Sequence, residues 1–573
     1  MSNEKALLLQ LVDETPEWFP ADEAEAVPGV VVAAADPPAK KRGRPRKEPS
    51  DTAEGDTETS SPVAVRGEGR GGKRLLKILS GMADAITLYY DSYTESYISF
   101  ADGVIEHLCV NKSLQERFAL LYFTETGDTL GTDGFTSAVL VLAAQAKRTG
   151  QHIELFTRAG WHDGKIYYDL KNRRALCVAA DGWSLVERPP VFFRSFSAQQ
   201  AHPDPLPGGD CFKLFDYSNV AVENRLLLMV WLIAAFVPGN PHPALLVSGA
   251  EGSGKSSFCR LLKRIIDPSA TELQEMPKKD DDFDLLLFKH YCLAMDNISS
   301  INAARADRLC SAITQAYIEK RKLHTDTDTI ILPCNPRIIL NGINSLTSRT
   351  DLLDRSVTVH LERIPPTCRK LESELDAAFT ADLPGILGGI ADVLSEAIQI
   401  YPSVKLKSFP RMADFTRFGF AVAEALGGRG SEFLKAYGAN SAKLGESLLE
   451  NNTFMAGMVQ LMDDKTTFKG TFKEVVDSLV VLVQPDRNDY SFPSAHNLRK
   501  HLERLRPSLE ARGIRFEFGK HTNRGHTVEF TKTTPPPTWA ATAASGLQPD
   551  CSGDDLVFDE QELGNEIPET ALT

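Results

Sequence analysis

The chain has 573 residues, 42% of them hydrophobic, and carries a formal net charge of −14. That length leaves room for about three or four domains with buried cores. The acidic balance excludes a protein coated uniformly in nucleic-acid-binding charge, so any such binding must come from local basic patches. Nine cysteines stand singly, with no C-x-x-C, which argues against a disulfide framework or a zinc site and for thiols in a reducing cytoplasm. The most apolar run, residues 226–237, is too short to span a bilayer. The N-terminus lacks the charged-then-apolar pattern of a secretory signal. The expectation is a cytoplasmic protein with no membrane partner.

Residues 1–75 are rich in Ala, Pro, Glu, Asp, Gly and Ser, and no apolar periodicity lasts beyond a turn or two. Such a segment cannot bury enough surface to offset its chain entropy, so it reads as a disordered tail. Within it, residues 40–47 read K-K-R-G-R-P-R-K. The core, Arg42, Gly43, Arg44 and Pro45, looks like an AT-hook, a family of short DNA-binding peptides. Gly and Pro hold such a chain extended so that two arginines can lie along a narrow A·T-rich minor groove. A solvated basic linker or a localisation signal is the plainer alternative. Arg66, Arg70, Lys73 and Arg74 form a second basic patch among glycines, suited either to a DNA-contacting arm or to a flexible linker.

Residues 76–207 read as a mixed α/β accessory domain. Short strands are expected at 86–90 and 97–100, and helices at 114–123 and 135–147. Hairpins are expected over 153–170, turning at Asp163-Gly164, and over 176–187, turning at Asp181-Gly182. No paired acidic motif with a neighbouring His suggests a polymerase or primase site here. Residues 203–209 look like the linker out of this domain.

Residues 208–364 hold the motif that organises the chain. Residues 249–256 read G-A-E-G-S-G-K-S, which fits the phosphate-loop template at every fixed position. An apolar strand precedes the loop and a helical repeat follows it. The loop comprises Gly249, Ala250, Glu251, Gly252, Ser253, Gly254, Lys255 and Ser256, followed by Ser257. Its glycines let backbone N–H groups surround phosphates, and the helix that follows points its positive end at them. ATP is the expected ligand, with Lys255 at the outer phosphates and the Ser256 hydroxyl on Mg²⁺. Downstream, an apolar strand ends at Asp296-Asn297 in the form of a Walker B element, whose Asp would hold the Mg²⁺ through water. Another strand ends at Asn341, a polar tip suited to orienting an attacking water. Each interval leaves room for one strand–helix crossover of a parallel sheet. Arg349 and Arg355 follow in S-R-T-D-L-L-D-R-S.

This arrangement resembles the AAA+ ATPases, and within them the superfamily 3 helicases of phages, plasmids, viruses and mobile elements. The likeness rests on L-L-V-S-G-A-E-G-S-G-K-S-S, A-M-D-N, I-I-L-N-G-I, R-T-D-L-L-D-R-S, L-P-G-I-L-G-G-I and F-P-R-M-A-D-F-T-R-F. It covers residues 210–460 and, more weakly, the flanks. The resemblance implies an AAA+ core with a helical lid at 365–463, and Asn341 as sensor 1. It also implies Arg355, or else Arg349, as an arginine finger reaching a neighbouring subunit, and Arg411 or Arg417 as a lid arginine. It places a DNA-tracking pore hairpin just before Asn341, where Lys320, Arg321 and Lys322 would meet phosphates; a solvated basic helix end is the alternative. Many AAA+ proteins carry a Glu after the Walker B Asp, whereas here the position is Asn297. Hydrolysis would then be slow, or would use another carboxylate such as Asp307 or Glu319.

Residues 464–532 look like a winged helix, with Arg499, Lys500, Arg504 and Arg506 on a basic helix and Lys520 and Arg524 on the wing. Winged helices also serve protein contacts. Residues 533–573 form an acidic, disordered tail that could engage a replication protein. The leading expectation is an ATP-dependent DNA-translocating motor, a replicative helicase of a phage or mobile element. It would work as a hexameric ring, with single-stranded DNA in its pore and duplex held by hook and wing. The alternative is a non-motor AAA+ switch that binds DNA and recruits other proteins.

Overall fold

The chain divides into two units, Met1–Val65 and Arg66–Thr573. The computed structural model describes residues 70–82, 85–101, 103–171, 174–321, 329–342, 350–450, 453–485, 492–510, 512–519 and 525–534. All of them lie in the second unit. The AT-hook-like residues Arg42, Gly43, Arg44 and Pro45 lie outside the described residues, as do Lys322, Arg349, Lys520 and Arg524.

The first layer is built from α1 (Arg70–Gly81), β1 (Ile86–Tyr90), β2 (Ser96–Phe100), β3 (Ile105–His107), α2 (Lys112–Thr126), α3 (Thr132–Thr149) and β4 (Gln151–His152). Its strands run in the order β3-β2-β1-β4, antiparallel except for the β1–β4 pair. Helix α2 starts where the Asn111 side chain accepts from the Leu114 N–H, and stops at left-handed Gly127. Helix α1 begins inside the stretch expected to be structureless. Its Leu75 and Leu79 are buried with Phe118 and Phe135, and Arg74 pairs with Asp128 at 3.1 Å. Lys73 and Arg74 therefore sit exposed on a helix whose apolar stripe is anchored, which a composition argument could not see.

Next come β5 (Leu155–Phe156), β6 (Ala159–His162), β7 (Lys165–Asp169), β8 (Arg174–Ala179), β9 (Gly182–Glu187) and β10 (Phe192–Phe193). Strands β6 to β9 form an antiparallel meander. The Asp163-Gly164 turn forms as expected, both residues having positive φ. Ile166, Tyr168, Leu176 and Val178 of this meander share one continuous core with the phosphate-loop region, while the first layer keeps its own core. Residues 76–207 thus contain two parts with different allegiances.

The central region contains α4 (Val222–Ala234), β11 (Ala244–Gly249), α5 (Lys255–Ile266), α6 (Asp280–Lys289), β12 (Cys292–Ile298) and α7 (Ala303–Ile313). It continues with the hairpin β13 (Ala316–Arg321) and β14 (Thr329–Cys334), then β15 (Arg337–Gly342), α8 (Thr350–Leu353) and β16 (Ser356–Leu361). The sheet order is β12-β15-β11-β16, every pair parallel. Helices cover both faces, so the strands read as unbroken apolar runs. Helix α4, the most apolar run in the chain, is buried along its length from Leu226 to Ala234.

The far end of α5 is bolted down by buried charge. Asp267 accepts from Lys263 Nζ at 2.7 Å, from Arg158 Nε at 3.0 Å, and from the Tyr291 and Cys292 amides at 3.1 Å each. Arg158 stands immediately before the meander's first strand, and the two amides flank the start of β12. Burial alone would raise the Asp267 carboxyl, yet the charges of Lys263 and Arg158 hold it well below the usual carboxylate range. His202, buried beside this cluster with neither ring nitrogen partnered, is held neutral.

Helices α9 (Glu372–Ile400), α10 (Ala413–Ala425) and α11 (Gly430–Glu450) follow. Helix α9 is long and apolar enough by composition to cross a bilayer, but half of that stretch is buried within the protein. Its motif L-P-G-I-L-G-G-I makes a small-residue face. A Cβ at Gly388 would lie 1.7 Å from the Leu206 carbonyl oxygen, and one at Gly389 would lie 2.4 Å from the Cys211 nitrogen. The segment at 203–209, expected to be a free linker, is instead packed into this face, and the Leu206 N–H donates to the Pro384 carbonyl at 2.9 Å. Helix α12 (Thr453–Asp463) shares a separate core with β17 (Thr467–Thr471), α13 (Phe472–Val483), α14 (Leu498–Glu510), β18 (Ile514–Phe518) and β19 (Thr527–Lys532). It thus packs with the C-terminal unit rather than with the lid region to which the sequence reading assigned it. The C-terminal strands are antiparallel in the order β17-β19-β18.

Candidate functional site

The site lies where β11 gives way to α5. Gly249, Gly252 and Gly254 have φ of 151°, 75° and 77°, conformations that L side chains rarely adopt. At Gly249 there is no space either, since a Cβ would sit 2.6 Å from the Leu361 carbonyl oxygen. Gly254 is the left-handed N-cap of α5 and offers no side-chain acceptor. The first-turn amides of α5 are therefore left for an anion to take. Lys255 Nζ donates to the Gly249 and Ala250 carbonyls, both at 3.0 Å, folded back across the loop. The Ser253 hydroxyl is buried without a partner, while Glu251 and Gly252 are exposed and Ser256 and Ser257 half-buried.

Two neighbouring strand tips complete the cluster. The register β12-β15-β11 brings Asp296 and Asn341 beside the loop. Asn341 Nδ2 donates to Asp296 Oδ1 and lies 3.4 Å from Ser256 Oγ. Asn341 is buried and its Oδ1 has no partner. Asn297 has left-handed φ of 53°, donates its N–H to Asp296 Oδ1 at 2.8 Å, and exposes its side chain. Glycine cradle, helix terminus and Lys255 fit a polyphosphate. One carboxylate and one hydroxyl fit Mg²⁺, a hard cation that keeps several waters and binds substrate phosphate. Among the described residues no group of three His, Cys, Asp or Glu converges as a metal cage.

The other expected residues are placed unevenly. Arg355 Nη1 binds the Asp351 carboxylate at 2.5 Å and its backbone carbonyl at 3.1 Å, and its buried Nε has no partner. Arg411 binds the same carboxylate at 2.6 Å. Burial would raise Asp351, but the Arg355 hydrogen bond and the two guanidinium charges lower it. Arg417 donates to the Val404 carbonyl and stacks on Tyr401, so its side chain is committed to local packing. Glu319 lies in β13, paired with Ile331, and Asp307 lies in α7.

The hairpin before Asn341 exists, as a strand pair rather than a helix end, but Lys320 is not free on it. Its Nζ lies 3.2 Å from both Asp281 and Asp284 at the start of α6. Three acidic residues in the first turn of α6 favour that pairing over solvent. Arg321 remains exposed. In the C-terminal unit, Arg499 and Lys500 are exposed on α14, with Arg499 over the Phe518 ring. Arg506 instead lies on the Phe516 ring and donates to its carbonyl, so it serves the fold.

Two residues that sequence reasoning missed lie against the loop. The guanidinium of Arg369 is 3.3 Å from where a Gly252 Cβ would be, and Ile364 is equally close to that of Gly254. Both come from the linker between β16 and α9, which matches no template and whose only signal was its basic R-I-P-P-T-C-R-K composition.

Residues 210–446 match the family model described as actinomycete integrative conjugative element replication protein, and residues 454–545 match that of the RepA C-terminal domain of the same elements. No curated protein matches. Among solved structures the chain is similar to the apo C-terminal region of NrS-1, at 12% identity and TM-score 0.38, covering 82% of this chain and 100% of that one. It is also similar to a JCV helicase, at 13% identity and TM-score 0.18, covering 40% of this chain and 66% of that one.

Proposed function

We propose that this chain, a replication protein of a mobile element, is an ATP-driven motor that translocates along DNA as a hexameric ring. The observation that carries the reading is the convergence of the Ser256 hydroxyl, the Asp296 carboxylate and the Asn341 amide at the mouth of the Gly249–Ser256 loop. Mg²⁺ would be held by Ser256 and, through water, by Asp296, and it would neutralise charge between the outer phosphates. Lys255 leaves the two loop carbonyls to meet phosphate oxygens. Asn341 spends its Nδ2 on Asp296, which leaves the buried Oδ1 to accept a hydrogen bond from the attacking water and orient it. Arg355, released from Asp351, would act across the subunit boundary. Arg321 at the hairpin is the candidate contact to single-stranded DNA, with Arg499 and Lys500 as candidates for duplex. The winged-helix and AT-hook readings belong to the same proposal.

The rival, a DNA-binding switch without motor activity, draws support from Asn297, whose amide cannot accept the proton that a glutamate would. Strand displacement on forked DNA, measured with ATP for the wild-type chain and Lys255→Met, separates the two. Unwinding by the wild type alone supports the motor; ATP hydrolysis without unwinding supports the switch.

A further inference from the structure

The linker at 362–371 is fixed at both ends. At its start the Glu362 N–H donates to the Asn219 carbonyl at 3.1 Å, and the Asn219 side chain donates back to the Glu362 carbonyl. At its far end, two arginines of α5 hold the first turns of α9. Arg260 binds Glu372 at 2.8 Å and Arg264 binds Asp376 at 3.2 Å. Pro365 and Pro366 stiffen what lies between. The linker is thus drawn across the phosphate loop and tied to the helix that the loop feeds.

On this strap Arg369 brings its guanidinium to Gly252. Among the described residues no carboxylate or carbonyl engages it, so its five donors are unspent beside the first-turn amides of α5, which Gly254 leaves uncapped. The arginines expected to supply a cation from the lid are occupied: Arg411 by Asp351, Arg417 by Tyr401 and the Val404 carbonyl. We propose that Arg369 binds the phosphate groups of a nucleoside triphosphate from within the same subunit, opposite Lys255, with the linker acting as a strap over the bound nucleotide. The proposal rests on the nucleotide reading above. A guanidinium suits this place because it presents a planar fork to two phosphate oxygens, which an ammonium cannot do.

The test is titration of the full chain with fluorescent mant-ATP and mant-ADP at fixed Mg²⁺, for the wild type, Arg369→Ala, Arg369→Lys, Lys370→Ala and Lys255→Met. Arg369→Ala should weaken mant-ATP on the order of tenfold or more, the scale of one charge-assisted contact. Arg369→Lys should recover part of the loss, and Lys370→Ala, which removes the adjacent charge, should stay within about twofold. Melting temperatures should be equal, which excludes a folding effect. If Lys255→Met loses binding while Arg369→Ala binds like the wild type, the strap is wrong and the nucleotide site stands. If the wild type binds neither analogue, the nucleotide reading fails and the strap with it. An equal loss in Arg369→Ala and Lys370→Ala would mean only diffuse charge attraction, and would also overturn the proposal.

Discussion

Helix α5 carries a lysine near each end, and the two have opposite fates. Lys263 is buried, its Nζ donating to the Asp267 carboxylate and to the Cys292 carbonyl. Lys255 is half-exposed and leans on two carbonyls of its own loop. Around Lys263 every charge has an opposite charge and Asp267 accepts from two amides as well. Around Lys255 a buried hydroxyl and a buried amide oxygen have no partner. Buried polar atoms without partners cost free energy. The staple is not free of them, since both ring nitrogens of buried His202 lack partners beside it; what sets the loop apart is that its orphaned atoms stand beside a glycine cradle and an uncapped helix N-terminus.

The largest expected effect comes from breaking the staple. Asp267→Asn leaves Arg158 and Lys263 buried with no counter-charge, and should cost roughly 3–5 kcal/mol, read as a large fall in melting temperature. Lys255→Met should lower the ATP turnover rate by about 10²–10³, the scale of losing one preorganised donor to developing charge; wild-type turnover in this variant would end the site assignment. Lys263→Met, the same exchange at the other end, should cost about 1–3 kcal/mol of stability while folded protein keeps its turnover.

A pH series sharpens the contrast further. His202 is held neutral, its pKa pushed down to about 3 by burial and then by the Arg158 charge. A depressed histidine contributes stability that is present above the unfolded value, near 6.5, and is lost as pH falls toward 3. The slope is at most about 1.4 kcal/mol per pH unit per proton. His202→Phe should flatten the fall measured between pH 6.5 and 5, and an unchanged slope would assign the acid sensitivity elsewhere. Smallest of all, Lys255→Met should leave stability within about 0.5 kcal/mol, because only loop carbonyls lose a partner.

The cradle was readable because its demands are local. A fixed glycine spacing, an apolar run before it and a helical repeat after it all lie within a short window, and the two polar strand tips follow from sheet geometry. The staple was not readable. Arg158 and Asp267 stand 109 residues apart, and nothing near either shows which acid an isolated arginine will meet. The pairing of Lys320 was hidden for a related reason: the hairpin follows from position, but the carboxylates that pair with its lysine belong to another helix. The glycines of α9 were visible as a motif, yet their purpose depends on a segment that looked like a linker. Arg369 belongs to a strap whose placement is set by contacts at its ends rather than by its own residues.

The cover that α9 provides also has a cost in time. Trp183 in β9 meets Asp392 across 209 residues of chain, and Ser395 meets Ala179 across 216. A ribosome adding ~5–20 residues per second therefore completes β9 roughly ten to forty seconds before the helix that covers it exists. Through that interval Trp183 lacks its Asp392 partner, and Ala179 lacks the Ser395 hydroxyl that its carbonyl accepts from. Translation products that stop short of α9 are expected to aggregate even when the Gly249–Ser256 loop is already complete.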